Sequence, residues 1–123
     1  MKNSFKQRVN SFKYAFNGII LLFQTQIHGR FHAFFGLFVI VAGFFFNISI
    51  TEWCIVILSI SMVIAAEAIN TAIESLTDLV SPDYHLLAGQ AKDLAAGAVL
   101  ICAIGTVVIG FIIFLPKIIE WLY

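Results

Sequence analysis

The sequence predicts an all-α membrane protein, with three transmembrane helices behind an N-terminal amphipathic surface helix. Two observations carry this. The chain is 61% hydrophobic and only 11% charged, whereas soluble domains run at about 45–50% apolar and about 25% charged. Its apolar residues also gather in three runs long enough to cross a bilayer, separated by short polar breaks. At 123 residues the chain has room for one small domain, residues 1–123. Its net charge is zero, so no global basic field points to nucleic acid. Cys54 and Cys102 sit inside apolar runs and read as small buried hydrophobes rather than a disulfide or a metal pair. No cleavable leader is expected, because no short basic start and cleavage site frame the first apolar run.

Residues 1–28 form the surface helix. Phe5, Val9, Phe12, Phe16, Ile19, Ile20 and Phe23 recur at helical spacing, with Lys2, Lys6, Asn10, Lys13 and Asn17 around them. Phenylalanines on one side and lysines around them suit a helix lying in the headgroup layer. His28-Gly29-Arg30 interrupts the pattern, and residues 31–50 form the first span. Asn47, Ser49, Thr51 and Glu52 read as a short turn, and residues 53–80 form the second span. Ser81-Pro82-Asp83-Tyr84-His85 is a turn, because proline blocks continuation of the helix. Residues 88–116 form the third span. Pro116 and Lys117 close it, and Trp121 and Tyr123 serve as interfacial anchors.

Orientation follows from the basic residues. With the N-terminus in the cytosol, Lys2, Lys6, Arg8, Lys13, Arg30 and Lys92 are all inside and only Lys117 is outside. Ala95, Ala96, Gly97, Ala98, Ala103, Gly105 and Gly110 give the third span a small-residue surface. That surface serves self-association, giving a homo-oligomer, or a tight contact within one chain.

Inside the second span, Glu67, Asn70, Glu74 and Asp78 recur at intervals of 3, 4 and 4 and so share one helical stripe. Charge at membrane depth is expensive and marks an ion, proton or substrate site. Glu67 is the deepest, flanked by Ala65, Ala66, Ala68 and Ile69. A carboxylate in so dry a setting can act as a general base. Glu74 and Asp78 lie nearer the cytosolic boundary and suit a hard divalent cation such as Mg²⁺, which takes few protein carboxylates and completes its shell with substrate phosphates. Asn70 can orient a nucleophile or a carboxylate. Lys92 and Asp93 return to the same membrane face, and a lysine beside such a cation suits a nucleotide phosphate. The chain has no Gly-x-x-x-x-Gly-Lys loop, so a nucleotide site here is not a P-loop. A purely structural cluster, with Lys92 paired to Asp78 or Asp83, is the competing reading.

The ordered residues Glu67-Ala-Ile-Asn70-Thr-Ala-Ile-Glu74-Ser-Leu-Thr-Asp78, then Tyr84-His85, then Ala91-Lys92-Asp93, resemble the signature of the small prokaryotic lipid kinases, which act on diacylglycerol or undecaprenol. The resemblance covers essentially the whole chain. Ser11-Phe12-Lys13-Tyr14-Ala15 and Ala95-Ala96-Gly97-Ala98-Val99-Leu100 look more like the undecaprenol kinase branch. The resemblance implies a homotrimer in the prokaryotic cytoplasmic membrane, with active sites shared between neighbouring subunits and facing the cytosol. It implies transfer of the ATP γ-phosphate to the hydroxyl of a membrane lipid alcohol, undecaprenol first and diacylglycerol second, with Mg²⁺. By this resemblance Glu67 is the catalytic base, supported by Asn70, and Glu74 binds the metal. Asp83, Tyr84, His85, Lys92 and Asp93 contact the nucleotide, and Arg8 and Tyr14 on the surface helix close over ATP or the lipid headgroup. The family places a second acidic metal ligand at the end of the surface helix. Here that position is Gln26, a neutral oxygen donor, with His28 nearby. Phe34, Phe35, Phe38, Phe44, Phe45 and Phe46 are candidates to line a lipid groove. The alternative function is a small proton-coupled transporter or channel subunit using Glu67. The apolar outer halves of the three spans and the one-sided placing of Glu74 and Asp78 argue against it.

Overall fold

The computed structural model describes residues 2–123. Met1 and the side chains of Lys2 and Asn3 are outside the described residues, and with them the expected helix start at residue 1 and the placing of Lys2. Four helices make up the rest: α1 Lys2–Thr25, α2 Ile27–Phe45, α3 Ile50–Val80 and α4 Leu86–Leu122. The last three are long and apolar enough to cross a membrane. α3 and α4 form the main pair, α2 lies against α3, and α1 meets α2 and α3 over a short stretch.

The break between the first two helices differs from the expected one. It is a single residue, Gln26, in extended conformation (φ −105°, ψ 118°), and His28-Gly29-Arg30 lie in the first turns of α2. Arg30 Nε donates to the Phe23 carbonyl at 2.8 Å and Nη2 to the Gln24 carbonyl at 2.6 Å. These are acceptors that the end of a helix leaves open. Gly29 is buried, and a Cβ there would stand 3.2 Å from Leu22 Cγ. The polar tripeptide clasps a tight joint.

α2 ends at Phe45 rather than residue 50, and α3 begins at Ile50 rather than residue 53. Asn47 makes the turn with φ of 48°, a region asparagine tolerates better than most side chains. Ser49 and Glu52 form a capping box. The Glu52 N–H donates to Ser49 Oγ at 3.3 Å, and the Ser49 N–H donates to Glu52 Oε2 at 2.7 Å. Thr51 and Glu52 therefore belong to α3, not to the turn.

α4 starts at Leu86, two residues before the expected boundary, and continues through Pro116 to Leu122. The Leu87 N–H donates to His85 Nδ1 at 3.2 Å, which caps the start. Proline removes one helical hydrogen bond, but tertiary contacts hold the turns beyond it. Lys117 Nζ pairs with Glu52 at 3.2 Å. The Trp121 ring stands edge-on to Phe45 with centroids 6.0 Å apart, so this expected interfacial anchor has a protein partner.

Close packing within the chain uses the glycines of α2 rather than those of α4, although Ala95 of α4 is buried. A Cβ at Gly97, Gly105 or Gly110 would meet nothing within 4 Å. Gly29, Gly36 and Gly43, seven residues apart, are all buried. A Cβ at Gly36 would stand 3.1 Å from Ile60 Cγ2, and one at Gly43 only 2.7 Å from the Trp53 ring. Beside them Ile48, Val56 and Ile113 form the buried cluster. Gly43→Val is expected to destabilise by about 1–3 kcal/mol, the usual cost of overpacking, because a rigid indole must move. A lowered unfolding midpoint in detergent checks this. Gly18→Ala, with nothing within 4 Å, should be neutral or stabilising.

Candidate active site

At 3.6 residues per turn, Glu67, Asn70, Glu74 and Asp78 fall within an arc of about 80° on α3. Burial falls steadily along the stripe. Glu67 is 3% exposed and Asn70 8%, Glu74 is half-buried, and Asp78 is exposed. A membrane crossing takes about 20 residues, so one begun at Ile50 ends near Asn70. Glu74 and Asp78 then lie past the hydrocarbon while Glu67 stays at its edge.

The hydroxyls around the stripe are already used. Thr71, Ser75 and Thr77 each bond the carbonyl four residues back, at 2.9, 2.9 and 2.7 Å, as such residues do in helices. Asn70 Nδ2 donates to Glu74 Oε1 at 3.1 Å. That bond fixes the amide, and Asn70 Oδ1 is left buried without a partner among the described residues. Such orphans are uncommon and call for an explanation. An oxygen acceptor poised beside a carboxylate suits a hydroxyl donor or a hard cation.

Where α3 ends, Pro82 stops the helix and the chain turns into α4. A hollow of about 280 Å³ lies in this turn, lined by Asp78, Ser81, Asp83, Tyr84, His85 and Lys92 among others. Lys92 Nζ donates to Asp78 Oδ1 at 2.8 Å. Both side chains are partly open, at 38% and 67% exposure. Glu74 is within electrostatic range of the same ammonium. The pairing that a structural cluster predicted is therefore present, inside a hollow that also carries Asp83, Tyr84 and His85 of the expected nucleotide residues. Ser81, which no sequence pattern marked, lines it too, and its Oγ donates to the Asp83 carbonyl at 3.2 Å.

Seven expected site residues do not line this hollow within one chain: Glu67, Asn70 and Glu74 lie further along the stripe, and Asp93, Arg8, Tyr14 and Gln26 are placed elsewhere. Asp93 follows Lys92 but points about 100° away around the helix and lines a separate shallow depression with Gln90, Leu94 and Gly97. Arg8 and Tyr14 are exposed on α1. Gln26 is in the α1–α2 joint, half-buried. Of the expected aromatic residues, Phe38 and Phe46 line an apolar groove of about 320 Å³ between α2 and α4, and Phe35 lines another of about 360 Å³; Phe34, Phe44 and Phe45 line neither. A roomy groove of about 990 Å³ lies between α1 and α3 and is lined by Gly18, Ile19, Leu22, Ala65, Ala68 and Ala72 among others. Ala65 and Ala68 flank Glu67 in sequence.

No three His, Cys, Asp or Glu side chains converge on a metal position among the described residues. This donor set does not make an all-protein cage. It fits Mg²⁺, which settles for one or two carboxylates plus phosphate and water oxygens: Glu74 has one carboxylate oxygen without a hydrogen bond.

A family model described as prokaryotic diacylglycerol kinase matches residues 13–114. The chain is 40% identical over 116 residues to an undecaprenol kinase of Bacillus subtilis, covering 94% of each chain. It is 40% identical over 111 residues to a diacylglycerol kinase of Synechocystis, which is 89% of this chain and 63% of that one. It is 32% identical over 108 residues to a diacylglycerol kinase of Haemophilus influenzae, covering 86% and 92% respectively.

Proposed function

The chain belongs to the prokaryotic diacylglycerol kinase family, and from that premise we propose that it is a lipid kinase moving the γ-phosphate of ATP to the hydroxyl of a membrane lipid alcohol at the cytosolic face. Undecaprenol is the first choice of acceptor and diacylglycerol the second. The observation that carries the reading is the graded stripe on α3. It runs from buried Glu67 to the exposed Asp78–Lys92 pair, so a proton acceptor at lipid depth and a cation for phosphate share one helix face.

In this reading the lipid hydroxyl meets Glu67, whose carboxylate takes the proton as the oxygen attacks the γ-phosphorus. The bond from that phosphorus to the β-phosphate bridging oxygen breaks, and ADP leaves. Asn70 holds the reacting groups through its free Oδ1. Glu74 and Gln26 would hold Mg²⁺, which when bound neutralises phosphate charge. Lys92 meets the phosphates, and Asp83, Tyr84 and His85 line the nucleotide. The groove between α1 and α3 offers the acceptor's apolar chain a place on the neighbouring face of α3, through Ala65, Ala68 and Ala72 rather than Glu67 itself.

We assign the working state to a homotrimer. The open glycines of α4 support it, as does the distribution of Asp93, Arg8, Tyr14 and Gln26, which a neighbouring subunit's surface would complete. The bias of basic residues supports a cytosolic N-terminus and site.

A side-by-side assay of purified protein in lipid micelles tests the function. Phosphate is expected to pass from ATP to undecaprenol faster than to diacylglycerol, and only with Mg²⁺ present. Transfer to neither alcohol would overturn the reading. Gln26→Glu is expected to tighten the apparent affinity for Mg²⁺, because a charged oxygen replaces a neutral one. A metal titration of the rate checks this, and a null or opposite effect removes Gln26 from the metal site.

A further inference from the structure

The hollow at the α3–α4 turn carries more negative than positive charge. Asp78 and Asp83 line it, and Lys92 is its only lysine or arginine among the described residues. That lysine is already engaged, with Nζ 2.8 Å from Asp78 Oδ1. We infer that Asp78 is a positioning residue acting as a resident counter-ion, which holds Lys92 at the hollow and must be displaced by the nucleotide's phosphate for ATP to bind. This rests on the placing of the nucleotide at Lys92.

Three observations carry it. The pair is the only direct salt bridge in the hollow among the described residues, and it joins the two helices that frame the turn. A carboxylate oxygen and a phosphate oxygen compete for the same charge-assisted hydrogen bonds, so Lys92 cannot give its full charge to both. The pair is also loose enough to exchange. At 38% and 67% exposure, water can solvate the freed carboxylate, which would be costly if Asp78 were as buried as Glu67. Asp78 therefore keeps a lone lysine on target when the hollow is empty and sets a threshold that a polyphosphate crosses more readily than a monovalent anion.

Steady-state kinetics of the full chain in lipid micelles test this, with Mg²⁺·ATP varied at saturating acceptor. Asp78→Asn and Asp78→Ser are both expected to lower the KM for ATP about 2–5-fold, the range an ion pair this open can oppose. The kcat should change less. Asp78→Glu keeps the charge and should stay near the parent value. The fall in KM should shrink as salt screens the pair. Lys92→Gln should raise the KM. If Lys92→Gln raises it while neither neutral variant of Asp78 lowers it, the counter-ion role is overturned and the nucleotide site stands. If Lys92→Gln leaves the KM unchanged, the placing of the nucleotide at this hollow fails, and the inference with it. A lower unfolding midpoint with unchanged or raised KM in both neutral variants would make Asp78 a mere prop for the turn and also overturn the inference.

Discussion

Glu67→Gln is expected to leave a folded protein that still binds nucleotide but turns over about 10²–10⁴ times more slowly, the range general-base catalysis supplies. At about 1.4 kcal/mol per tenfold this is about 3–5 kcal/mol of barrier. Glutamine matches glutamate in size, so the 3% exposed site gains no cavity. The side-chain hydrogen bonds of the stripe join Asn70 to Glu74 and Lys92 to Asp78 and do not involve the Glu67 carboxylate, whose residue contributes only its backbone carbonyl to Thr71, so none is broken. What is lost is a proton acceptor at lipid depth. Single-turnover transfer measures the step, and the rise in unfolding midpoint with ATP measures binding. Near-normal turnover would remove Glu67 from the base role.

Glu74→Ala is expected to act twice. It removes the charged oxygen proposed for Mg²⁺, so the metal needed for half-maximal rate should rise by at least about 10–100-fold, a range seen even for groups one step removed from a metal. It also strips Asn70 Nδ2 of its partner. Oδ1 is already unpaired, so a buried amide would then have neither end bonded, a loss of about 1–3 kcal/mol. Glu74→Gln separates the two effects. Its amide oxygen can still accept from Asn70, so stability should recover while the metal demand stays high. An unchanged Mg²⁺ titration in both variants would exclude Glu74 as a ligand.

The stripe was legible in sequence because a period of 3.6 is enough to put Glu67, Asn70, Glu74 and Asp78 on one face, and the apolar run around Glu67 foretold its burial. The end of α3 was legible because Ser81-Pro82 leaves a helix nowhere to go. Other punctuation misled. Gly29 and Arg30 look like a break, and only the neighbouring helix end reveals them as its clasp. Pro116 looks like a stop, yet α4 runs on to Leu122, where Lys117 and Trp121 meet Glu52 and Phe45. The glycines at 29, 36 and 43 carried a signal in their spacing of seven, masked by the more conspicuous small residues of α4. Asp93 shows the limit of adjacency, since neighbours in sequence point to different depressions. The orphan oxygen of Asn70 was not readable at all, because it depends on which amide end Glu74 occupies.

The one-residue joint at Gln26 has a mechanical consequence. Arg30 is rooted in α2 yet grips the last carbonyls of α1, and Leu22 is wedged over Gly29 with no slack for a side chain. The two helices form a bent lever, not a hinge. A change in the tilt of α2 would therefore be passed to α1 through the Arg30 hydrogen bonds.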